Sequence, residues 1–159
     1  IFNHGLSSKK QIINIYIPQY KIFNKTFELV TYSYYDKKHL RKVLDQNFFL
    51  AKKIKIINKK ILLQKTSPFK ERIDLIKIDV NGHELQIVKS LKKTIEKFRP
   101  VMILEELDKI ENIKNFLKNY NYRCYCYDHK KKQLLLYNKL LHNPLNFFFI
   151  SNKYKIKNI

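Results

Sequence analysis

Ile73-Asp74-Leu75-Ile76-Lys77-Ile78-Asp79-Val80-Asn81-Gly82-His83-Glu84 is the stretch whose reading decides the fold. Residues 73–80 form a short, β-rich and nearly unbroken apolar run, which predicts a strand buried on both faces of a parallel sheet. Asn81-Gly82 breaks that run. From Glu84 to about Lys97 the residues Leu85, Val88, Leu91 and Ile95 fall on one stripe, which predicts a helix. Arg99-Pro100 ends it, because the residue before proline is pushed out of helical geometry. Val101–Leu104 (VMIL) then reads as a second buried strand.

Upstream, Ile13, Ile15 and Ile17 alternate with Asn14 and Tyr16, which predicts a strand over residues 12–17, stopped by Pro18. Residues 1–7 read as the end of an earlier strand running into a loop at Gly5. Asp36 is placed to cap a helix from Lys37 to about Phe49, with Leu40, Val43 and Leu44 at helical spacing. Residues 54–57 read as a strand, and 65–69 as a loop containing Pro68. Downstream, a helix is expected over about 110–119. An antiparallel pair, 123–127 with 133–137, follows it, and 147–150 forms a last strand. The order predicts an α/β fold with a mostly parallel sheet and antiparallel final strands. Its parallel core should hold residues 12–17, 54–57, 75–80 and 101–104, with the 84–97 helix on one face. Leu75, Ile76, Ile78, Leu85, Val88, Leu91, Val101, Ile103 and Leu104 should be buried.

The chain has 159 residues, 45% of them hydrophobic and 14% aromatic, enough to bury a core and to exclude wholesale disorder. No apolar run approaches the roughly 18–20 residues that a membrane-spanning helix needs, and the N-terminus has no signal-peptide pattern. Ile1 in place of methionine leads us to expect a segment upstream. A net charge of +20 suggests a polyanionic partner. Yet only Arg41, Arg72, Arg99 and Arg123 are arginine, the residue that phosphate and base-edge recognition favours. Ala51 is the single alanine, while Lys, Asn, Ile, Tyr and Phe abound, as an AT-rich coding sequence would produce. Nucleic acid is therefore not the expected partner. Weak attraction to an anionic membrane face is better supported, since each nearby lysine contributes on the order of 1 kcal/mol. Cys124 and Cys126 fall on one face of a strand with Asp128 and His129 beyond, but lack a second ligand pair. They read as buried thiols, no metal site is expected, and a reducing cytoplasm is the expected compartment.

Residues 73–84 resemble the signature of the FkbM family of S-adenosyl-L-methionine-dependent methyltransferases, usually D-L-I-K-I-D-V-E-G-x-E. As in that family, a helix (LQIVKSLKKTIEKF), Arg99-Pro100 and a strand closing on Glu105 follow. Asn3-His4-Gly5-Leu6-Ser7 leading to INIYIP is similar to the family's third strand and the loop after it. Asn146-Phe147-Phe148-Phe149-Ile150 is similar to its last strand. The resemblance implies a Rossmann-like class I methyltransferase fold and methylation of a hydroxyl on a sugar, glycolipid or secondary metabolite.

Ligands in such sheets bind beyond the carboxyl ends of the strands. The resemblance puts Asp79 and Glu105 there, where a carboxylate can take the acceptor's hydroxyl proton or orient it. His83 is a further candidate base. Asn81, Gly82 and Glu84 are associated with the substrate or the turn, and Glu84 also complements a helix dipole. Asn3, Gly5 and Leu6 are the candidates for contact with the cofactor. The sequence departs from the family at Asn81, where a glutamate is usual, and at Leu63-Gln64, where Leu-Asp is usual.

The larger departure is the glycine-rich turn after the first strand, where S-adenosylmethionine needs close backbone approach. Nothing before residue 73 supplies it, and about two βα units, each of order 30 residues, are missing. The expectation is a single partial domain over 1–159, the acceptor side of a methyltransferase, inactive alone and binding the cofactor weakly or not at all. Its partner would be a small-molecule or glycan acceptor. The rival reading is a degenerate or repurposed module that binds glycans or anionic membranes. Acceptor choice is expected to lie in loops such as residues 18–35.

Overall fold

The strand with Ile13, Ile15 and Ile17 is longer than its alternation suggested, and Pro18 does not stop it. In the computed structural model, which describes residues 5–7, 9–65, 69–80, 82–105, 110–142 and 144–155, it runs from Gln11 to Ile22. Pro18 is paired with Ile56, and its carbonyl accepts from Leu29 N at 2.9 Å. Within an antiparallel strand a residue's N–H and C=O point to the same side. The missing proline donor therefore falls toward Leu29, where no ladder bond to Ile56 is lost.

The chain groups into two compact units, Ile1–Lys65 with Asn81–His83, and Thr66–Val80 with Glu84–Ile159. Among the described residues the first unit contains β1 (Gly5–Ser7), β2 (Gln11–Ile22), β3 (Lys25–Glu28), α1 (Lys37–Asn47) and β4 (Lys55–Lys65). Its sheet has the order β1-β4-β2-β3. Only β1 is parallel to its neighbour; β2 lies antiparallel to both β4 and β3. This corrects the expected parallel core: residues 12–17 and 54–57 belong to a largely antiparallel sheet. Their apolar/polar alternation suits a sheet half-open to solvent. Gly5 lies in a strand and not in a loop, and residues 18–35 are mostly the β2–β3 hairpin and a 3-10 turn at Val30–Tyr32. Residues 66–68 of the expected loop lie outside the described residues.

Asp36 caps α1 as expected, its carboxylate accepting from Lys38 N at 2.7 Å and His39 N at 3.1 Å. Those backbone donors, His39 foremost, hold the Asp36 carboxyl below its ordinary value. The helix buries Leu40 and Leu44 with Ala51 and Ile54, against Tyr16, Tyr34, Phe48 and Ile56. Arg41 ties the turn after it, donating to the carbonyls of Ala51 and Ile54.

The second unit contains β5 (Leu75–Ile78), α2 (Glu84–Ser90), α3 (Lys92–Phe98), β6 (Val101–Glu105), α4 (Ile110–Lys118), β7 (Tyr122–Asp128), β8 (Gln133–Leu136) and β9 (Asn146–Ser151). Its sheet has the order β5-β6-β9-β7-β8, with β5 and β6 parallel and the others antiparallel. The predicted strand–helix–strand unit and its antiparallel tail are thus present. Ile78, Met102, Leu104, Phe147, Phe149 and Cys124 bury one face of the sheet against Val88, Leu91, Ile95, Ile110, Ile113 and Leu117.

Two expectations are corrected here. The 84–97 helix is two helices, broken at Leu91, where Ser90 Oγ donates to Ile87 O at 2.7 Å and competes with the backbone for that carbonyl. Leu75 is 58% exposed, because β5 is the edge strand of its sheet and Leu75 and Lys77 alternate away from the core. Ile78, Val88, Leu91 and Leu104 are buried as expected, while Ile76, Leu85, Val101 and Ile103 are half-buried. Arg99 closes α3 in left-handed geometry (φ 54°). Tyr122 Oη donates to Pro100 O at 2.6 Å and fastens the start of β7 to the entry of β6.

Candidate active site

β5 and β6 run parallel with Ile78 opposite Leu104. Asp79 follows Ile78, and Glu105 follows Leu104 as the last residue of β6. Glu105 thus closes one strand and Asp79 is the first residue after the end of its parallel neighbour, the two strands lying about 4.8 Å apart where they pair. Ile78 and Leu104 alternate into the core, so the residues after them are free to turn the other way. Lys77, on the exposed face of β5, pairs with Asp79: Lys77 Nζ lies 3.5 Å from Asp79 Oδ2. Both side chains are accessible, so the pair can open to an incoming ligand at little cost.

Across β6 the antiparallel neighbour adds a third polar group, since Glu105 stands opposite Asn146, the first residue of β9. In the sequence Asn146 reads only as the start of a strand. Nothing in a lone asparagine before Phe147-Phe148-Phe149 announces it; the register alone brings it to Glu105. This end of the sheet thus carries Glu105 opposite Asn146, and beside it, just after β5, Asp79 with its Lys77 partner. Such groups can accept a proton from a hydroxyl, orient it by hydrogen bonds, and hold a polyhydroxylated molecule.

Glu84 opens α2 and is only 4% exposed. A carboxylate in the first turn complements the helix dipole. Gly82 and His83 group with the first unit. Gly82 has φ +98°, and a Cβ there would meet Tyr35 Cε1 at 3.0 Å. The His83 ring stands edge-on to Tyr35 with centroids 5.5 Å apart. Tyr35 is thus the residue that shapes this turn, and no sequence signal marks it, lying far upstream. Asn81 and Asn3 lie outside the described residues.

Cys124 and Cys126 share the buried face of β7, as alternation predicted, and are free thiols. Burial pushes the Cys124 thiol up to about 12, the reverse of what a nucleophile or metal ligand needs. Asp128 instead closes the β7–β8 turn, accepting from Lys130 N and Lys131 N. Among the described residues no group of three or more His, Cys, Asp or Glu could hold a metal ion.

A family model, the methyltransferase FkbM domain, matches residues 12–124. The chain belongs to the FkbM methyltransferase family. No curated protein and no solved structure matches it. The FkbM match covers most of the chain and includes both Asp79 and Glu105. It also contains strands β2 and β4, so the antiparallel sheet of the first unit lies within the matched span.

The methyl donor that an FkbM methyltransferase implies, S-adenosylmethionine, needs a glycine-rich strand-to-helix turn. The chain has two glycines, and each has another task. Gly5 lies within β1, where a Cβ would stand 2.5 Å from Leu63 Cδ2, so its bareness serves packing against β4. Leu6, next to it, pairs in register with Gln64. Gly82 serves the turn under Tyr35. The residues present do not fit the cofactor's binding turn.

Among the described residues no helix is long and apolar enough to cross a membrane.

Proposed function

We propose that this chain is the acceptor side of an S-adenosylmethionine-dependent O-methyltransferase, acting on a hydroxyl of a sugar, glycolipid or secondary metabolite. The observation that supports this reading is that Asp79 and Glu105 each directly follow the Ile78–Leu104 pair, at the carboxyl ends of adjacent parallel strands. In open α/β sheets that end is where ligands bind. Asp79 takes the proton that the acceptor hydroxyl releases as its oxygen becomes nucleophilic. Glu105 and Asn146 hold neighbouring hydroxyls, and Lys77 balances the carboxylate charge. This division of labour suits a polyol, because carboxylate and amide groups are its natural hydrogen-bond partners.

The cofactor's binding turn is supplied from outside these 159 residues, since both of the chain's glycines are engaged otherwise. Each backbone hydrogen bond the chain cannot offer forfeits roughly 1 kcal/mol of affinity. Titration calorimetry of S-adenosylmethionine into the purified chain is expected to show weak binding or none. Tight, stoichiometric heat would overturn the assignment of this chain to the acceptor side alone.

A further inference from the structure

The β2–β3 hairpin ends in a phenylalanine that its own fold does not account for. β2 pairs with β4 only as far as Gln19↔Lys55, whereas it pairs with β3 out to Ile22↔Lys25. The last residues of the hairpin therefore project past the sheet as a two-stranded ribbon, stiffened by Tyr20 stacked on Phe27 at 5.4 Å. At its tip Phe23 is 95% exposed and has φ +51°. A bulky side chain in that region is a backbone outlier, and hairpin turns normally put Gly, Asn or Asp there. No packing offsets the strain, and Ile22 beside it is also exposed.

A second apolar tip belongs to the segment that enters β4 at that end of the sheet. Antiparallel pairing places the residues just before Lys55 at the end where β2 passes Gln19. In that segment, between α1 and β4, Phe49 is fully exposed and Leu50 is 56% exposed. Each tip is flanked by exposed lysines, Lys21 and Lys25 at the first, Lys52, Lys53 and Lys55 at the second. Of the acidic residues near them in sequence, Glu28 is engaged by Lys59 at 2.7 Å, and Asp45 stands on α1.

We infer that this end of the first unit docks on an anionic lipid bilayer, with Phe23 and Phe49 inserted at the headgroup boundary and the lysines on the lipid phosphates. Paired apolar tips inside a lysine collar match a surface that is charged outside and apolar beneath. Single-stranded nucleic acid fits less well. It asks for aromatic rings laid flat along a groove and favours arginine, and the one arginine here, Arg41, is bound to backbone carbonyls. The inference stands apart from the methyltransferase reading and survives its failure.

The test is co-sedimentation of the whole chain with phosphatidylcholine vesicles, with and without phosphatidylglycerol, beside Phe23→Asn, Phe49→Ser and the double variant. Binding is expected only with phosphatidylglycerol, and each substitution should weaken it about tenfold or more, as loss of a buried phenylalanine implies. Phe23→Asn should melt no lower than the parent, since asparagine tolerates its backbone geometry. The chain contains no tryptophan, so Phe23→Trp gives a single reporter, whose emission should shift blue on anionic vesicles. Equal sedimentation of parent and double variant, or an unshifted reporter, overturns the proposal. So does a double variant that loses a single-stranded oligonucleotide while keeping the vesicles.

Discussion

Asp79 and Glu105 each stand one residue beyond the paired Ile78 and Leu104, Glu105 as the last residue of β6 and Asp79 just past the end of the parallel β5. Two residues far apart in sequence are thereby placed side by side, at the one edge of this sheet where an α/β fold leaves room for a ligand.

That placement makes the roles of Asp79 separable. As a proton acceptor it cannot be replaced by asparagine, and methyl transfer by an active form of the enzyme should fall about 10²-fold in both Asp79→Asn and Asp79→Ala, with folding intact. As a turn residue only, Asp79→Asn would keep its activity and Asp79→Ala would lose stability. Radiolabelled methyl transfer alongside urea unfolding distinguishes the two. Full activity in a folded Asp79→Ala protein would move the chemistry to Glu105.

Gly82→Ala should destabilise the turn for two reasons that can be measured apart. Its φ of +98° strains any side chain, and the new Cβ would press on Tyr35 at 3.0 Å. A loss of about 1–2 kcal/mol is expected from the backbone alone. Adding Tyr35→Ala should relieve the contact but not the backbone strain, so the double variant recovers only part of the loss in a denaturant titration. Complete recovery would show the contact to be the whole effect.

Burial of Cys124 makes the fold sensitive to alkali. The thiol's ordinary value of 9.0 rises to about 12 in the folded chain, so the unfolded chain ionises first. Its contribution to stability is complete below pH 9.0 and is lost as pH rises toward about 12. Tyr122, raised mainly by burial, pulls the same way. Stability followed by denaturant unfolding should therefore decline across this window, and less steeply in Cys124→Val. Iodoacetamide at neutral pH should modify Cys124 only after unfolding. Rapid alkylation of the native protein would contradict its burial.

Local pattern alone determined much of this protein. A strand within the run at 73–80, though not its burial on both faces, the Arg99-Pro100 stop, the Asp36 cap and the Cys124/Cys126 face were legible because each depends on neighbours within a few residues. So was the family, whose most specific residues lie in one contiguous stretch. Strand partners were not legible. The alternation in β2 identified a strand, but its antiparallel pairing with β4 depends on a hairpin, a helix and a return that no local pattern encodes. Leu75 looked like core until β5 proved to be an edge strand, and Pro18 looked like a stop until its missing donor proved to face away from β4. Asn146 beside Glu105, and Tyr35 over Gly82, exist as relationships only in three dimensions. Secondary structure follows from short-range sterics and periodicity, whereas register and burial follow from which distant surfaces meet, and only the folded chain decides that.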